Sequence, residues 1–344
     1  MKPDPKSLRY GILILTGALI LRMLTISTGA DSAISFLFSP KVASILLYME
    51  TGRVIRPIDP EDVTEPVLDT PPEEVTKPAV SQKPDLSPSL PVFSENEANL
   101  VQINSACAYT VDVSALLQQP LIWNLTQEEP TVLIVHTHAS ESYTKTENYT
   151  ESTDYRTLNT DYNMVSIGDR LAQLLETQGI SVIHDRTIHD YPSYTDSYDH
   201  SRSAAQAYLE QYPSIQLVLD LHRDAVVDGK GNQLGYTVDT DDGEAAQLMF
   251  VVGTDAGGLN HPQWEKNMAL AVKLHAQLER ICPDICRPIS FRKQRFNQDL
   301  SNGALLIEVG AAGNTRQEAL LATEILAEAI IDLARGTVTA DSTS

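Results

Sequence analysis

Two histidines and a glutamate close a short apolar run in residues 131–144, TVLIVHTHASESYT. His136, His138 and Glu141 are side chains that bind divalent cations or move protons. Two further apolar runs carry similar groups. In IQLVLDLHRDA, residues 215–225, the run leads into Asp220, His222, Arg223 and Asp224. In ALLIEVGAAGN, residues 304–314, Glu308 sits inside the run and Asn314 closes it. A catalytic zinc takes three nitrogen or oxygen ligands and leaves one position for water. Two imidazoles and one carboxylate make such a set, so His136 or His138, Glu141 and His222 are the candidate ligands. A carboxylate outside the set can take the proton of the attacking water and pass it to a leaving amine. Glu308, enclosed by apolar neighbours, fits that role because desolvation raises its pKa. If residues 136–138 are extended, His136 and His138 project to one side, and either can bind.

Each residue alone has an ordinary reading. A histidine at a strand end is more often hydrogen-bonded than ligating. Glu308 can be a buried carboxylate paired with Arg223, and Asp220 and Asp224 can cap loops. Placement of all of them at the ends of three apolar runs favours a site. That requires the runs to be neighbouring strands of one sheet. TVLIV is short and continuously apolar, as in a strand covered on both faces. In residues 163–179, Met164, Ile167, Leu171, Leu174 and Leu175 recur at helical spacing, and Gly179 stops them. ISVIHD, IQLVLDL, AQLMFVVG and ALLIEVG read as strands; residues 201–212, 263–281 and 316–336 read as helices. This alternation predicts an α/β domain, a mainly parallel twisted sheet with helices on both faces, and a site beyond the carboxyl ends of its strands. His184 and His189 fall near the same rim. His275 is expected on a helix surface, and His200 and His261 carry no signal. The zincin HExxH helix, a Walker phosphate loop and a G-x-S-x-G elbow are all missing from the sequence.

The rest of the 344 residues reads as a means of delivery. Lys2, Lys6 and Arg9 precede an apolar stretch from Tyr10 to Leu24, broken by Arg22. This is the pattern of an uncleaved anchor with a cytoplasmic N-terminus; the small residues Ser27 to Ala33 offer a weaker cleavable alternative. Residues 1–29 are therefore assigned to the flank and transmembrane anchor, and 30–54 to a membrane-proximal amphipathic segment. Residues 55–100 hold nine of the 19 prolines, with ten Asp or Glu against three Lys or Arg. Such a segment cannot bury enough apolar surface to order itself, and it reads as an extended tether. Residues 101–129 form a lead-in, 130–336 a single catalytic domain and 337–344 a loose tail. The net charge of −21 argues against binding nucleic-acid backbone. Three cysteines are too few for a disulfide scaffold. Cys282 and Cys286 have no accompanying Cys/His pair, which weighs against metal there.

Four ordered blocks, VLIVHTHASESYT, GDRLAQLLETQGISVIHDRTIHD, LVLDLHRDA and FNQDLSNGALLIEVGAAGN, together resemble the stage II sporulation protein P family. The resemblance spans residues 130 to 335, and anchor plus proline-rich tether match the family layout. More distantly the domain is similar to zinc-dependent N-acetylmuramoyl-L-alanine amidases, with His138 (or His136), His222, Glu308 and Asn314 at matching places. In those enzymes the carboxylate ligand begins a helix. Here that place falls near Asn159, so Glu141 is assigned the role, with Glu151 as alternative. The resemblance implies a membrane-anchored zinc hydrolase of peptidoglycan acting in engulfment during endospore formation, its catalytic domain extracytoplasmic. It implies sporulation proteins D and M as partners, and cleavage of the muramoyl–alanine amide with Arg223 steadying the substrate or oxyanion. Two rivals remain: a zinc endopeptidase on wall cross-links, and a non-catalytic wall-binding scaffold.

Overall fold

The computed structural model describes residues 93–121, 123–146, 149 and 155–336. The expected anchor, the amphipathic segment, most of the tether, Glu151 and the tail lie outside the described residues. Among these, no helix is long and apolar enough to cross a membrane.

Among the described residues, nine strands and six α-helices follow one another as α1 (Glu95–Ala98), β1 (Ile103–Ser105), α2 (Val113–Gln118), β2 (Val132–Val135), α3 (Met164–Thr177), β3 (Val182–His184), α4 (Ser197–Gln211), β4 (Leu217–Asp224), β5 (Thr237–Thr240), β6 (Gly243–Ala246), β7 (Leu248–Val252), α5 (Trp264–Ile281), β8 (Ile289–Phe291), β9 (Ala304–Ala311) and α6 (Arg316–Arg335). Seven strands form one sheet in the order β1-β8-β7-β9-β4-β2-β3, and β5 and β6 form a separate hairpin. The sheet is parallel except where β7 meets β9 antiparallel. The reversal follows from the hairpin, whose second strand feeds directly into β7. The mainly parallel α/β expectation thus holds, with one inverted junction.

Alternation decides which side chains reach which layer. Val132 and Ile134, Leu217, Leu219 and Leu221, and Leu305, Ile307 and Val309 face the large core beneath α3, α5 and α6. Leu133, Val135, Val218 and Ala304 face the opposite side, packed with Ala205 and Tyr208 of α4. Asp220, His222 and Glu308 have the parity of this second, thinner side. The large core is closed by α6, whose Leu326, Ile330 and Leu333 are buried. Each contributes ~1.5–3 kcal/mol of burial. Thr315 and Glu318 form a capping box at its start, and Gly336, at φ 63°, ends it. A Cβ on Gly168 of α3 would lie 2.4 Å from His184 Nε2 and 2.5 Å from His136 Nε2. The bare backbone there is what lets the two imidazoles meet.

Two expected boundaries move. The tether was expected to reach residue 100, yet Phe93 and Ala98 are buried and Ser94 caps α1 through a reciprocal bond with Glu97. β1 then joins the sheet beside β8. The folded unit therefore includes residues before 130, because the edge of the sheet and part of the core come from them. His275 was expected at the surface but is 2% exposed. α5 is buried on all sides from Asn267 to Leu278, polar residues included, between the sheet and α2 and α6.

Candidate active site

β4 and β9 run side by side in parallel, and His222 pairs in register with Glu308. Both project to the thinner side of the sheet. β2, next to β4, stops at Val135, and residues 137–140 turn instead of extending. The premise that His136 and His138 share a side therefore fails. His136 is fully buried; its Nδ1 lies 3.1 Å from the Leu221 carbonyl and its Nε2 2.8 Å from His184 Nε2. Burial, then the neighbouring His184, pull its pKa down to about 3. With both nitrogens engaged, His136 is a packed residue and not a free ligand. His138 differs. Its ring meets that of His222 edge to face at 5.2 Å, and its buried Nδ1 has no hydrogen-bond partner.

His222 stands between two carboxylates. Its Nδ1 is 3.5 Å from Glu141 Oε2 and its Nε2 is 3.0 Å from Asp220 Oδ1. The second contact is too poorly aligned for a hydrogen bond, so Nε2 counts as buried without a partner. Burial opposes charge on His222, yet Asp220 and Glu141 outweigh it and hold the imidazolium well above its usual range. Glu141 is likewise buried, but His222 and Arg223 pull its pKa down to about 2. Asp220 is no loop cap. It accepts the backbone N–H of Thr137 at 2.8 Å and the Thr137 hydroxyl at 2.6 Å, tying the β2 turn to β4.

Arg223 does not face substrate. Its Nε donates to the Ser142 carbonyl and its Nη2 to that of Tyr155, and Nη1 lies 3.6 Å from Glu141. It is 5% exposed, so it positions Glu141 and its loop instead of steadying an oxyanion. On the other side of Glu141, Arg156 donates to Oε1 at 3.2 Å and to Asp190 at 2.7 Å. Asp224 accepts an ion pair from Arg287 at 2.8 Å. His189 is buried against Asp185, away from this cluster.

Glu308 is partly exposed as a residue, but its Oε2 is buried and has no hydrogen-bond partner. Burial lifts its pKa to about 8, against the opposing field of His222 and with help from Glu141 and Asp224. An unfolded carboxyl loses its proton near pH 4. Between there and about pH 8 the folded, metal-free protein keeps a proton that the unfolded chain has released, so stability falls as pH rises through that window. Glu308→Gln removes this part of the slope. Denaturant unfolding of the metal-free variant is expected to show a shallower loss between about pH 5 and about pH 8, on the order of a few kcal/mol less. Parallel pH profiles for parent and variant would mean that Glu308 ionises as freely as in the unfolded chain.

Asn314 braces the turn after Glu308. Its Oδ1 accepts from Ala311 and Tyr236 backbone N–H groups, and its Nδ2 donates to the Tyr236 carbonyl and to Glu318. Gly310, at φ 72° near the end of β9, lies against this amide, and a Cβ there would come within 2.8 Å of Ala246. Asn314→Ala is expected to cost ~1–3 kcal/mol in chemical denaturation, since the backbone groups it serves stay buried. An unchanged midpoint would show that water replaces the amide.

Two residues of the site left no trace in the sequence. Tyr194 stacks on His138 at 4.5 Å between ring centres, and Tyr198 meets it edge on at 5.6 Å. Both come from α4 and the loop before it, far along the chain. Tyr194 is 55% exposed, with the Arg156 guanidinium 4.6 Å from its ring centre. Asp220 was legible: spaced two residues from His222 on a strand, it must share its face.

The donor types suit a zinc ion. His138 has an unpartnered buried Nδ1, Glu141 is ionised, and the charge that His222 carries between two carboxylates is one a dication can supply. The three are neighbours without converging on one point, because His222 is turned towards Asp220.

Comparison with known proteins bears on this arrangement. Stage II sporulation protein P of Bacillus subtilis (strain 168) is 28% identical over 260 residues, covering 72% of this chain. The chain spans 60% of that relative's length. Among solved structures, the CwlD amidase of Clostridioides difficile in complex with the GerS lipoprotein aligns over 58% of this chain and 94% of its own, at 11% identity and a TM-score of 0.35. The N-acetylmuramoyl-L-alanine amidase of Clostridium difficile 630 aligns over 60% and 95%, at 18% identity and a TM-score of 0.34. The profile of stage II sporulation protein P matches residues 60–331. That match takes in the Glu141, His222 and Glu308 segments together, and this chain belongs to the stage II sporulation protein P family.

Proposed function

We propose that the chain is a zinc-dependent peptidoglycan hydrolase that cuts the amide between the lactoyl group of N-acetylmuramic acid and L-alanine. The observation that carries this reading is the pairing of His222 with Glu308 on adjacent strands, with Glu308 Oε2 buried, unpartnered and titrating near neutrality. His138, Glu141 and His222 are assigned as the zinc ligands. Zinc held by such donors polarises an amide carbonyl and makes water a better nucleophile near neutral pH. Glu308 Oε2 takes a proton from the attacking water and returns it to the departing alanine nitrogen. Water thus divides between a new carboxyl on the lactoyl group and a new amine on the peptide. A base that titrates near the working pH does both halves of this transfer well. Asp220 and Arg223 touch no substrate; they set the His222 ring and the Glu141 carboxylate. The exposed Tyr194 face beside His138 offers a platform for sugar or peptide.

In this reading residues 1–29 hold the catalytic domain at the outer face of the membrane. There it acts on wall during engulfment with sporulation proteins D and M. The test is digestion of purified sacculi by the full chain with zinc, followed by analysis of the new chemical ends. Free L-alanine amines with glycan strands of unchanged length are expected. New amines on other residues would replace this reading with a cross-link endopeptidase, and no new ends at all would replace it with a scaffold.

A further inference from the structure

On α5, His275 and Glu279 are one turn apart and share a helix face. The chain leaves the helix at Cys282, turns through Asp284 at φ 64°, and returns beside β7, where Cys286 bridges Leu248. One ligand atom from each of His275, Glu279 and Cys286 lies within 4.8 Å of the other two. No other three His, Cys, Asp or Glu side chains among the described residues converge so closely.

Part of this cluster has a plain structural explanation. The Glu279 carboxylate accepts the backbone N–H groups of Asp284 and Cys286, each at 2.9 Å, and so caps the loop. That does not account for His275. The residue is 2% exposed and its Nδ1 is buried without a hydrogen-bond partner. Burial pulls the pKa of the ring down to about 4, so it is neutral and keeps a lone pair. The idle nitrogen of this neutral imidazole thus lies beside a thiol and a carboxylate, three donor types that bind zinc.

We propose that His275, Glu279 and Cys286 form a second metal site, distinct from the His138, Glu141 and His222 cluster, for a zinc-class cation. Nitrogen, oxygen and sulfur donors together select zinc and its borderline neighbours over magnesium or calcium. Binding releases the Cys286 thiol proton to solvent, and the thiolate and carboxylate then balance the dication. The ion ties the end of α5 to the loop that enters β8. That loop also carries Arg287, which pairs with Asp224 at 2.8 Å and lies 4.2 Å over the Tyr236 ring. The site is therefore a clamp on the loop that braces the ends of β4 and β9.

Cobalt(II) separates the two sites, because only this one contains sulfur. The reduced, metal-free full chain is titrated with cobalt without oxygen, and the sulfur-to-cobalt charge-transfer band in the near ultraviolet is followed. The band is expected to saturate at one equivalent per chain in His222→Ala, and by two equivalents in the parent, where the sulfur-free site also takes cobalt. It should survive Cys107→Ser and Cys282→Ser, vanish in Cys286→Ser, and require at least ~10-fold more cobalt in Glu279→Gln and His275→Gln. Far-UV circular dichroism confirms that each variant is folded; should His275→Gln fail this check, Glu279→Gln and Cys286→Ser still decide. A parent without the band, or a band that persists in Cys286→Ser or disappears in Cys282→Ser, overturns the assignment. Intact wall hydrolysis without the band sinks this site alone. An intact band without hydrolysis sinks the proposed catalytic reading instead.

Discussion

Glu308→Gln is expected to keep its fold and its zinc and to lose wall hydrolysis by ~10²–10⁴-fold. The amide preserves the size of the side chain and still fits between β4 and β7. It cannot accept the proton that the buried Oε2 is placed to take. Near neutral pH burial keeps Glu308, with a pKa of about 8, largely neutral in the metal-free protein; its ionised form, favoured beside a bound dication, is the one that can act as base. The substitution therefore removes little charge from the metal-free fold, which is why a catalytic loss without a stability loss is the expected pattern. Release of muropeptide from sacculi measures the first, and zinc stoichiometry with denaturant unfolding the second. Near-parental digestion would make Glu308 structural and pass the role of base to Asp224. Loss of zinc along with activity would make Glu308 a ligand and require it to exchange roles with Glu141.

His222→Ala is expected to have the largest effect on the folded state. It deletes a cation between two buried carboxylates and with it one of the assigned ligands. Glu141 retains Arg156 and Arg223 nearby, whereas Asp220 keeps only its bonds to Thr137. Breaking a buried pair by removing one partner costs ~3–5 kcal/mol. The remaining arginines place the expected loss at the lower end, about 3 kcal/mol. Zinc at the catalytic cluster should fall below detection by elemental analysis after dialysis, leaving only metal attributable to the cysteine-containing site. A variant with parental stability and full zinc content would show that His222 neither pairs nor ligates.

The pattern of hydrophobic residues made the central strands and long helices legible. The short apolar runs of β2, β4 and β9, too brief for helices, read as doubly covered strands, and α3 and α6 follow the helical period with recognisable caps. Those elements alone bring His222 and Glu308 to one face. What stayed hidden depends on contacts distant in sequence. β1 is three residues long and polar, and only its pairing with β8 makes it a strand. The inversion of β7 depends on a hairpin whose Asp242-Gly243 turn is a recognised signal but whose short, largely exposed strands lack the apolar alternation that would mark them. His136 and His138 were indistinguishable because choosing between them needs the chain to turn after Val135. Arg223 looked catalytic by position, but the carbonyls of Ser142 and Tyr155, supplied by a distant loop, claim its donors. His275 was misplaced because Asn267, Lys273 and Gln277 on the same helix read as a surface face, whereas neighbouring elements bury all of them.

The entry of the chain into the sheet has a mechanical meaning. The described chain begins at the margin of the sheet. Phe93 is buried under the Arg280 guanidinium, Glu97 pairs with Arg280, and β1 holds to β8 by three residue pairs. The strands that carry His222 and Glu308 lie three and four places inward from that margin. Tension applied from the N-terminal side meets β1 and α1 first, and these can peel away in sequence like the end of a zip. Once these and α2 have given way, the load passes along the chain to β2, which pairs with β4, so this N-terminal stretch is what shields the strands of the site. A chain pulled from that side would yield at the hem before the strands carrying His222 and Glu308 are disturbed.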